Sequence, residues 1–399
     1  LGAEGIDVRA GRLARYAVAA TLARSADEMV SLSVVLLVIG RTGSFALSGA
    51  AVAGYTLPAV LTGPFLGDWL SHARRPVIAL AANELVLAAV AVALVITVGH
   101  VPAPVIVVLT ALAGASLPLT SAGYSSLLPA MVGRAGLARA NTVDALSVNG
   151  PAIGGPALAG TLAAVAGPGS AMLGIGAVAL LAAAVTLRLK VTKPGETARP
   201  ALLSTARAGL AHLARTGPLR AATLASVISY GCVGLLVVAL PALMTHLGAR
   251  STSAGYLWTA FEVGGVASIL LLSPRLRTVR PERVIVTAVA GYGLLLAVMA
   301  TMTNLTATIA VAVLAGAAEG PNLPAVFAAR QRYSPDTLLA QVSTTGASLK
   351  IGAFAIGSVL SGALTGGVGP AGTVLGAAAG QAAAAVVGLT TSGRVPRTP

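Results

Sequence analysis

Charge is what this sequence lacks most. Asp, Glu, Lys and Arg make up 10% of its 399 residues, where a soluble globular chain carries about 25%. Hydrophobic residues reach 56% and the mean hydropathy is +0.88. So few polar groups cannot cover a water-facing surface, and lipid must be the outer solvent. Cysteine is almost missing. The single Cys232 excludes an intrachain disulfide framework and a cysteine zinc site. There are three lysines, Lys190, Lys193 and Lys350, and none follows glycine. A phosphate-binding Walker A loop is therefore absent, and with it an ATPase domain. The four histidines, His72, His100, His212 and His246, lack ligand spacing, so no metal is expected. Aromatics amount to 4%, too few to suggest a large aromatic cage. No nucleophile–base pairing stands out, so no catalytic residues and no enzyme activity are expected. The net charge of +14 is spread through short segments between apolar runs. That distribution argues against nucleic acid and for membrane lipid as partner.

What is present is a series of long apolar runs. A spanning helix needs about 20 mostly apolar residues. Twelve runs meet that criterion: Tyr16–Ile39, Phe45–Leu70, Val77–Val98, Pro104–Ser126, Asn141–Ala166, Ser170–Leu189, Ala221–Thr245, Ser253–Ser273, Val284–Met302, Thr306–Ala328, Leu338–Leu364 and Ala371–Thr391. With a cytoplasmic N-terminus, twenty-two basic residues fall on the cytoplasmic side. Only Arg41 and Arg250 fall opposite, while Arg24 and Lys350 lie within spans. That asymmetry predicts that both termini are cytoplasmic.

The longest polar stretch, Lys190–Arg220, divides six spans from six. Expected domains are an N-terminal six-helix bundle (1–189), a cytoplasmic linker (190–220) and a C-terminal six-helix bundle (221–399). Within the linker, Ser204–Leu219 is amphipathic enough to lie on the membrane surface. The halves are faintly alike. Gly54-Tyr55 matches Gly255-Tyr256, Gly63 matches Gly264, Leu137 matches Leu338 and Ser147 matches Ser348, all at one shift. With equal span counts, this favours two parallel repeats.

Half of the twelve acidic residues sit inside apolar runs: Asp27, Glu28, Glu84, Asp144, Glu262 and Glu319. An ionisable group at mid-bilayer costs about 2.5–3.5 kcal/mol on insertion scales, and such residues usually face a partner or a water-filled cavity. Arg24 and Glu28 are four apart and share a helix face, so they are expected to pair. Asp27 lies roughly 15 Å inside its span. A carboxyl group in low dielectric can take up and release a proton. Asp27, Glu28, Glu262 and Glu319 are the proton-coupling candidates. Glu319 leads into Gly320-Pro321-Asn322-Leu323-Pro324, a segment expected to bend. Lys350 needs an acid partner, either as a fixed pair or as part of the transport chemistry. Glu84 and Asp144 lie nearer the span ends and are expected to latch onto Arg74 or Arg75.

Two further segments carry a resemblance. Gly63-Pro-Phe-Leu-Gly67-Asp68-Trp-Leu-Ser71-His72-Ala-Arg74-Arg75-Pro76 joins spans two and three. Asn149-Gly150-Pro151-Ala-Ile-Gly154-Gly155-Pro156 lies in span five. The first resembles the glycine-plus-basic loop of the major facilitator superfamily, with Ser71 where that family usually has an acid. The second is similar to the Gly-Pro-x-x-Gly-Gly core found in its exporters. The loops Leu127–Asn141 and Arg330–Gly352, the latter ending in Leu349-Lys350-Ile351-Gly352, resemble those of bacterial macrolide and siderophore exporters. The resemblance implies an all-α membrane protein of twelve helices in two six-helix pseudo-repeats. It implies a gating role for Gly63, Gly67, Asp68, Arg74, Arg75, Glu84, Asp144, Gly150, Pro151, Gly154 and Gly155. Substrate-cavity candidates are Arg24, Tyr55, Tyr124, Asn149, Tyr230, Trp258, Asn322 and Lys350, with Tyr292 also placed to reach a cavity.

The expected function is secondary active transport by alternating access, as proton-coupled export of a small organic molecule. The energy source is the proton gradient and no cofactor is expected. The expected setting is the bacterial plasma membrane, as a monomer. A solute uptake or facilitated-diffusion carrier, and a non-transporting sensor of transporter fold, are the alternatives.

Overall fold

Prolines start six of the thirteen α-helices among the described residues, and glycines in left-handed conformation end several of them. The computed structural model describes residues 3–189, 191, 202–276 and 278–391. Within these the regular structure is helical: α1 (Ala3–Thr42), α2 (Phe45–His72), α3 (Pro76–Thr97), α4 (Ala103–Gly114), α5 (Leu128–Ala166), α6 (Pro168–Thr186) and α7 (Leu202–Arg215). It continues with α8 (Gly217–His246), α9 (Ala254–Leu276), α10 (Pro281–Ala300), α11 (Leu305–Glu319), α12 (Asn322–Tyr333) and α13 (Asp336–Thr391). Proline occupies the first or second position of α3, α4, α5, α6, α8 and α10. Its fixed φ suits the first turn, and its missing N–H has no partner to lose there. Gly167 (φ 88°) closes α5, and Gly369 (φ 79°) breaks α13 into two arms. A side chain at either φ would be strained.

Nine segments among the described residues are long and apolar enough to cross a membrane. Helices α1, with 40 residues, and α5, with 39, are at least as long as most of these but carry charged residues along their length. The segment Thr337–Thr391 contains both arms of α13.

The chain divides into two compact units. The first holds Leu1–Ser44 and Gly54–Ala198; the second holds Phe45–Ala53 and Arg199–Pro399. The split thus cuts α2 near its start. Within the second unit that start packs on α13, where a Cβ on Gly49 would fall 2.2 Å from the Ser358 carbonyl oxygen.

Small residues set the packing in both units. In the first, a Cβ on Gly114 of α4 would lie 1.7 Å from the Tyr55 carbonyl oxygen of α2. In the second, a Cβ on Gly316 of α11 would lie 1.9 Å from the Phe261 carbonyl oxygen of α9. Without a hydrophobic drive between helices in lipid, such close backbone approach supplies the packing. Helices α8 and α13 use the same device at Gly231, Gly234 and Gly357. There the Ser361 hydroxyl donates to the Leu235 carbonyl (2.5 Å) and accepts from the Val238 N–H (3.2 Å).

Three expectations are corrected. The stretches Leu127–Asn141 and Arg330–Gly352 are not loops, because α5 already begins at Leu128 with Pro129 at its second position, and α12 and α13 cover all of the second stretch but Ser334 and Pro335. The expected helix Ser204–Leu219 ends at Arg215, and Gly217-Pro218 starts α8. Its Leu213 packs with Leu219 and Val342, and His212 Nε2 lies 2.9 Å from the Tyr333 carbonyl oxygen. This helix therefore packs within the second unit, against α8, α12 and α13. Residues 192–201, about a third of the expected linker, lie outside the described residues, as does Lys190. The fourth span, read as one run over Pro104–Ser126, ends its α-helix at Gly114. It continues as a π-turn (Leu119–Gly123) and a 3-10 turn (Ser125–Leu127). The tenth breaks at Gly320-Pro321, as expected from its sequence.

Candidate functional site

The first unit is organised around Arg24, which α1 presents to α5 and to the irregular end of the fourth span. Its guanidinium contacts Asp144 Oδ1 at 2.8 Å, the Ser125 hydroxyl at 2.9 Å and the Ser147 hydroxyl at hydrogen-bond distance. Asp144 is engaged as well. Tyr16 donates to Oδ1 at 2.6 Å and Ser125 to Oδ2 at 2.7 Å. The expected Arg24–Glu28 pair is thus corrected: Arg24 faces Asp144 across the helix interface, while Glu28, one turn on, is exposed. The expected latch between Asp144 and the loop arginines is corrected with it. Arg74 and Arg75 are exposed, and Asp144 is held inside by Arg24. An interior pair whose carboxylate accepts three hydrogen bonds approaches the geometry in which ion pairing offsets desolvation, although Arg24 Nε is buried without a partner.

Asp27 and Glu84 form a second group. Tyr55 of α2 donates to Asp27 Oδ1 at 2.9 Å. Glu84 of α3 is wholly buried, which corrects its expected place near Arg74 and Arg75. Its Oε1 accepts from Asn83 Nδ2 (3.1 Å) and from the Thr120 hydroxyl (3.2 Å). Thr120 lies in the π-turn and also stands against Asp27, so the break in the fourth span puts one hydroxyl between two acids. The carboxyl groups are close enough for their charges to interact. Glu84 Oε2 is buried with no hydrogen-bond partner.

The second unit holds the other group. Glu319 ends α11 and Asn322 starts α12, on either side of the Gly320-Pro321 break. Asn322 Nδ2 donates to Glu319 Oε1 at 2.7 Å. Glu319 Oε2 and Asn322 Oδ1 are both buried without a partner. Lys350 and Glu262 are within electrostatic reach of Glu319. The Lys350 ammonium stands 4.8 Å from the Tyr230 ring centroid. Tyr292 is buried beside Glu319 and Glu262 and meets the edge of Phe261 (6.0 Å), which in turn meets Trp258 (5.9 Å).

Other candidates fall elsewhere. Tyr124 is fully buried and shares a 2.7 Å hydrogen bond with Thr186. Asn149 is exposed and donates to its own helix at the Ala145 carbonyl oxygen. A Cβ on Gly155 would come 2.7 Å from Glu28 Cβ, so α5 packs tightly on α1 there, while Gly150 and Gly154 face open space and Pro151 is buried. A Cβ on Gly63 would meet Pro118 at an ordinary 3.7 Å. Gly67 and Asp68 lie on α2, with Asp68's side chain outside the described residues. Among the described residues no group of three or more His, Cys, Asp and Glu converges as for a metal. Sequence reasoning missed Tyr16, Asn83, Thr120, Ser125 and Ser147. Uncharged hydroxyls and amides give no signal in a chain rich in Ser and Thr. Proline at 118 ahead of Thr120 was the one available hint.

Broken fourth and tenth spans, buried acids beside the breaks and two packed units define a transporter scaffold, and comparison with known proteins decides which. A family model described as a transmembrane secretion effector, of the MFS type, matches residues 22–398. The chain belongs to the major facilitator superfamily. This transporter is 30% identical, over 86% of both chains, to the uncharacterized MFS-type transporter y4rN of Sinorhizobium fredii. Solved structures share its fold. The nucleoside transporter NupG aligns with a TM-score of 0.77 at 11% identity, over 96% of this chain and all of that one. A bacterial homologue of the iron transporter ferroportin gives 0.71 at 18% identity, over 99% of this chain and all of that one. It is a multi-pass membrane transporter with the major facilitator fold.

Proposed function

We propose that this transporter exports a small organic molecule in exchange for protons, by alternating access. Twelve spans would be made by α1, α5 and the two arms of α13 together with the other membrane-length segments. Both termini would face the cytoplasm of a bacterium, with the protein working as a monomer in the plasma membrane. Export is supported by the secretion-effector description of the matching family. Proton coupling is supported chiefly by the Asp27–Glu84 group. Two carboxyl groups lie within reach of one hydroxyl, and one of their oxygens is buried without a donor. A single proton held there supplies the missing donor and relieves the like-charge repulsion. A proton bound better in one state than in the other shifts the balance between states by that difference.

Everted vesicles with an imposed pH gradient test this reading. Substrate-dependent proton movement is expected, and Asp27→Asn is expected to abolish it while the protein still inserts in the membrane. Glu84→Gln is expected to weaken it. Full pH-driven transport by Asp27→Asn, with Glu319→Gln losing it, would move the coupling site to the second unit. Transport without proton movement would mark a facilitated carrier, and no transport of any solute a sensor.

A further inference from the structure

The unanswered acceptors at the break between α11 and α12 point to a ligand. Asn322 is 2% exposed, and its Oδ1 has no donor. Glu319 Oε2 has none either, though Glu319 Oε1 is taken by Asn322 Nδ2 at 2.7 Å. A buried acceptor left unpaired costs about 1–3 kcal/mol. A proton on Glu319 Oε2 can donate to Asn322 Oδ1 and so answer both acceptors, but it neutralises the carboxylate that Lys350 faces. An ammonium group carries several N–H donors and answers both. The surroundings suit a cation. Glu262 adds a second carboxylate near Glu319. The Tyr230 ring already carries the Lys350 ammonium at 4.8 Å, the geometry of a cation on an aromatic face. Arg330, within electrostatic reach of Lys350, repels that ammonium and an incoming cation alike.

We infer that Glu319 and Asn322 form a receptor for a protonated amine on the solute, with Lys350 as the competing resident cation. This rests on the transport reading only for the fate of the solute. An amine entering the site donates to Glu319 Oε2 and Asn322 Oδ1. A quaternary ammonium has the charge without the N–H, and a carboxylate has neither.

The chain has two tryptophans, Trp69 and Trp258. Trp69→Phe leaves Trp258 as the single reporter, linked through Phe261 to Tyr292 beside Glu319. The purified full-length variant in detergent is titrated with 2-phenylethylamine, its N,N,N-trimethyl analogue and phenylacetate. Saturable quenching by the amine is expected, with the other two at least about tenfold weaker, as lost donors to buried acceptors imply. Glu319→Gln should weaken the amine by about tenfold or more. Lys350→Gln should tighten it, a gain that misfolding cannot mimic. Equal binding of amine and trimethyl analogue, no saturable binding, an unchanged Glu319→Gln or a weakened Lys350→Gln each overturn the assignment. Binding in detergent needs no pH gradient. A failure of proton coupling in vesicles therefore leaves this test intact, and the reverse also holds.

Discussion

Both units interrupt their fourth membrane helix, yet the two breaks hold different chemistry. In the first unit, α4 gives way to a π-turn and Thr120 meets Glu84 and Asp27. In the second, α11 stops at Glu319 and Asn322 opens α12. The scaffolds correspond closely: Gly114 packs on the Tyr55 backbone as Gly316 packs on that of Phe261. The charges do not correspond. Arg24 is fixed by Asp144, Ser125 and Ser147, whereas Lys350 rests on a ring. A repeated backbone thus supplies the break twice. In one copy the cation is held by a carboxylate and two hydroxyls; in the other it stands on a ring near acceptors that have no donor.

The sharpest test of that contrast is to remove each cation's neighbour. Asp144→Ala strands Arg24 in the interior and should cost about 3–5 kcal/mol, read as a fall in melting temperature in detergent. Replacing both Arg24 and Asp144 by Leu should cost less than Asp144→Ala alone. Tyr230→Leu removes the ring under Lys350, and the lost cation–π contact accounts for only about 0.5–2 kcal/mol. Equal losses at the two sites would mean that both cations are locked and would erase the distinction.

A smaller effect examines the shared scaffold. Gly114→Ala and Gly316→Ala each push a methyl into a backbone carbonyl. Each should destabilise by about 1–3 kcal/mol, the usual cost of overpacking. The two values should agree within experimental scatter. A neutral change at one with a large loss at the other would show that the second and fourth helices of the units do not pack equivalently.

Much of this was legible in the sequence, for identifiable reasons. Apolar runs mark spans because lipid leaves no other solvent for them, and Gly-Pro at 320–321 marked the tenth-span break. Buried charge was found as charge, but its partners were not. Arg24 was assigned by helical spacing to Glu28, because i,i+4 neighbours are visible in one dimension. Its partner Asp144 is 120 residues away and becomes a neighbour only through α1 packing on α5. Glu84 was placed by its distance from a span end, which says nothing about which way α3 turns it. The helical start of α5 was hidden by its polar residues, since hydropathy reports membrane depth and not helix length.

The smallest effect concerns how each fourth helix begins. In the first unit α4 starts behind Pro102 with Pro104 at its second position and no side-chain cap. In the second, Asn304 caps α11, its side-chain oxygen accepting from the Ala307 N–H at 2.8 Å. Asn304→Ala should cost about 1 kcal/mol, as loss of an N-cap does. If the two starts are interchangeable solutions to one geometry, importing the proline should compensate. Thr306 occupies the second position of α11 and is exposed. Proline there fixes φ near its helical value and restricts the unfolded chain. Thr306→Pro in the Asn304→Ala background should therefore return roughly 0.4–1 kcal/mol. Melting temperature reads the sum, and amide exchange in the first turn of α11 reads the site. If the double variant is less stable than Asn304→Ala, the second unit needs that first-turn N–H, and the two helix starts are not equivalent.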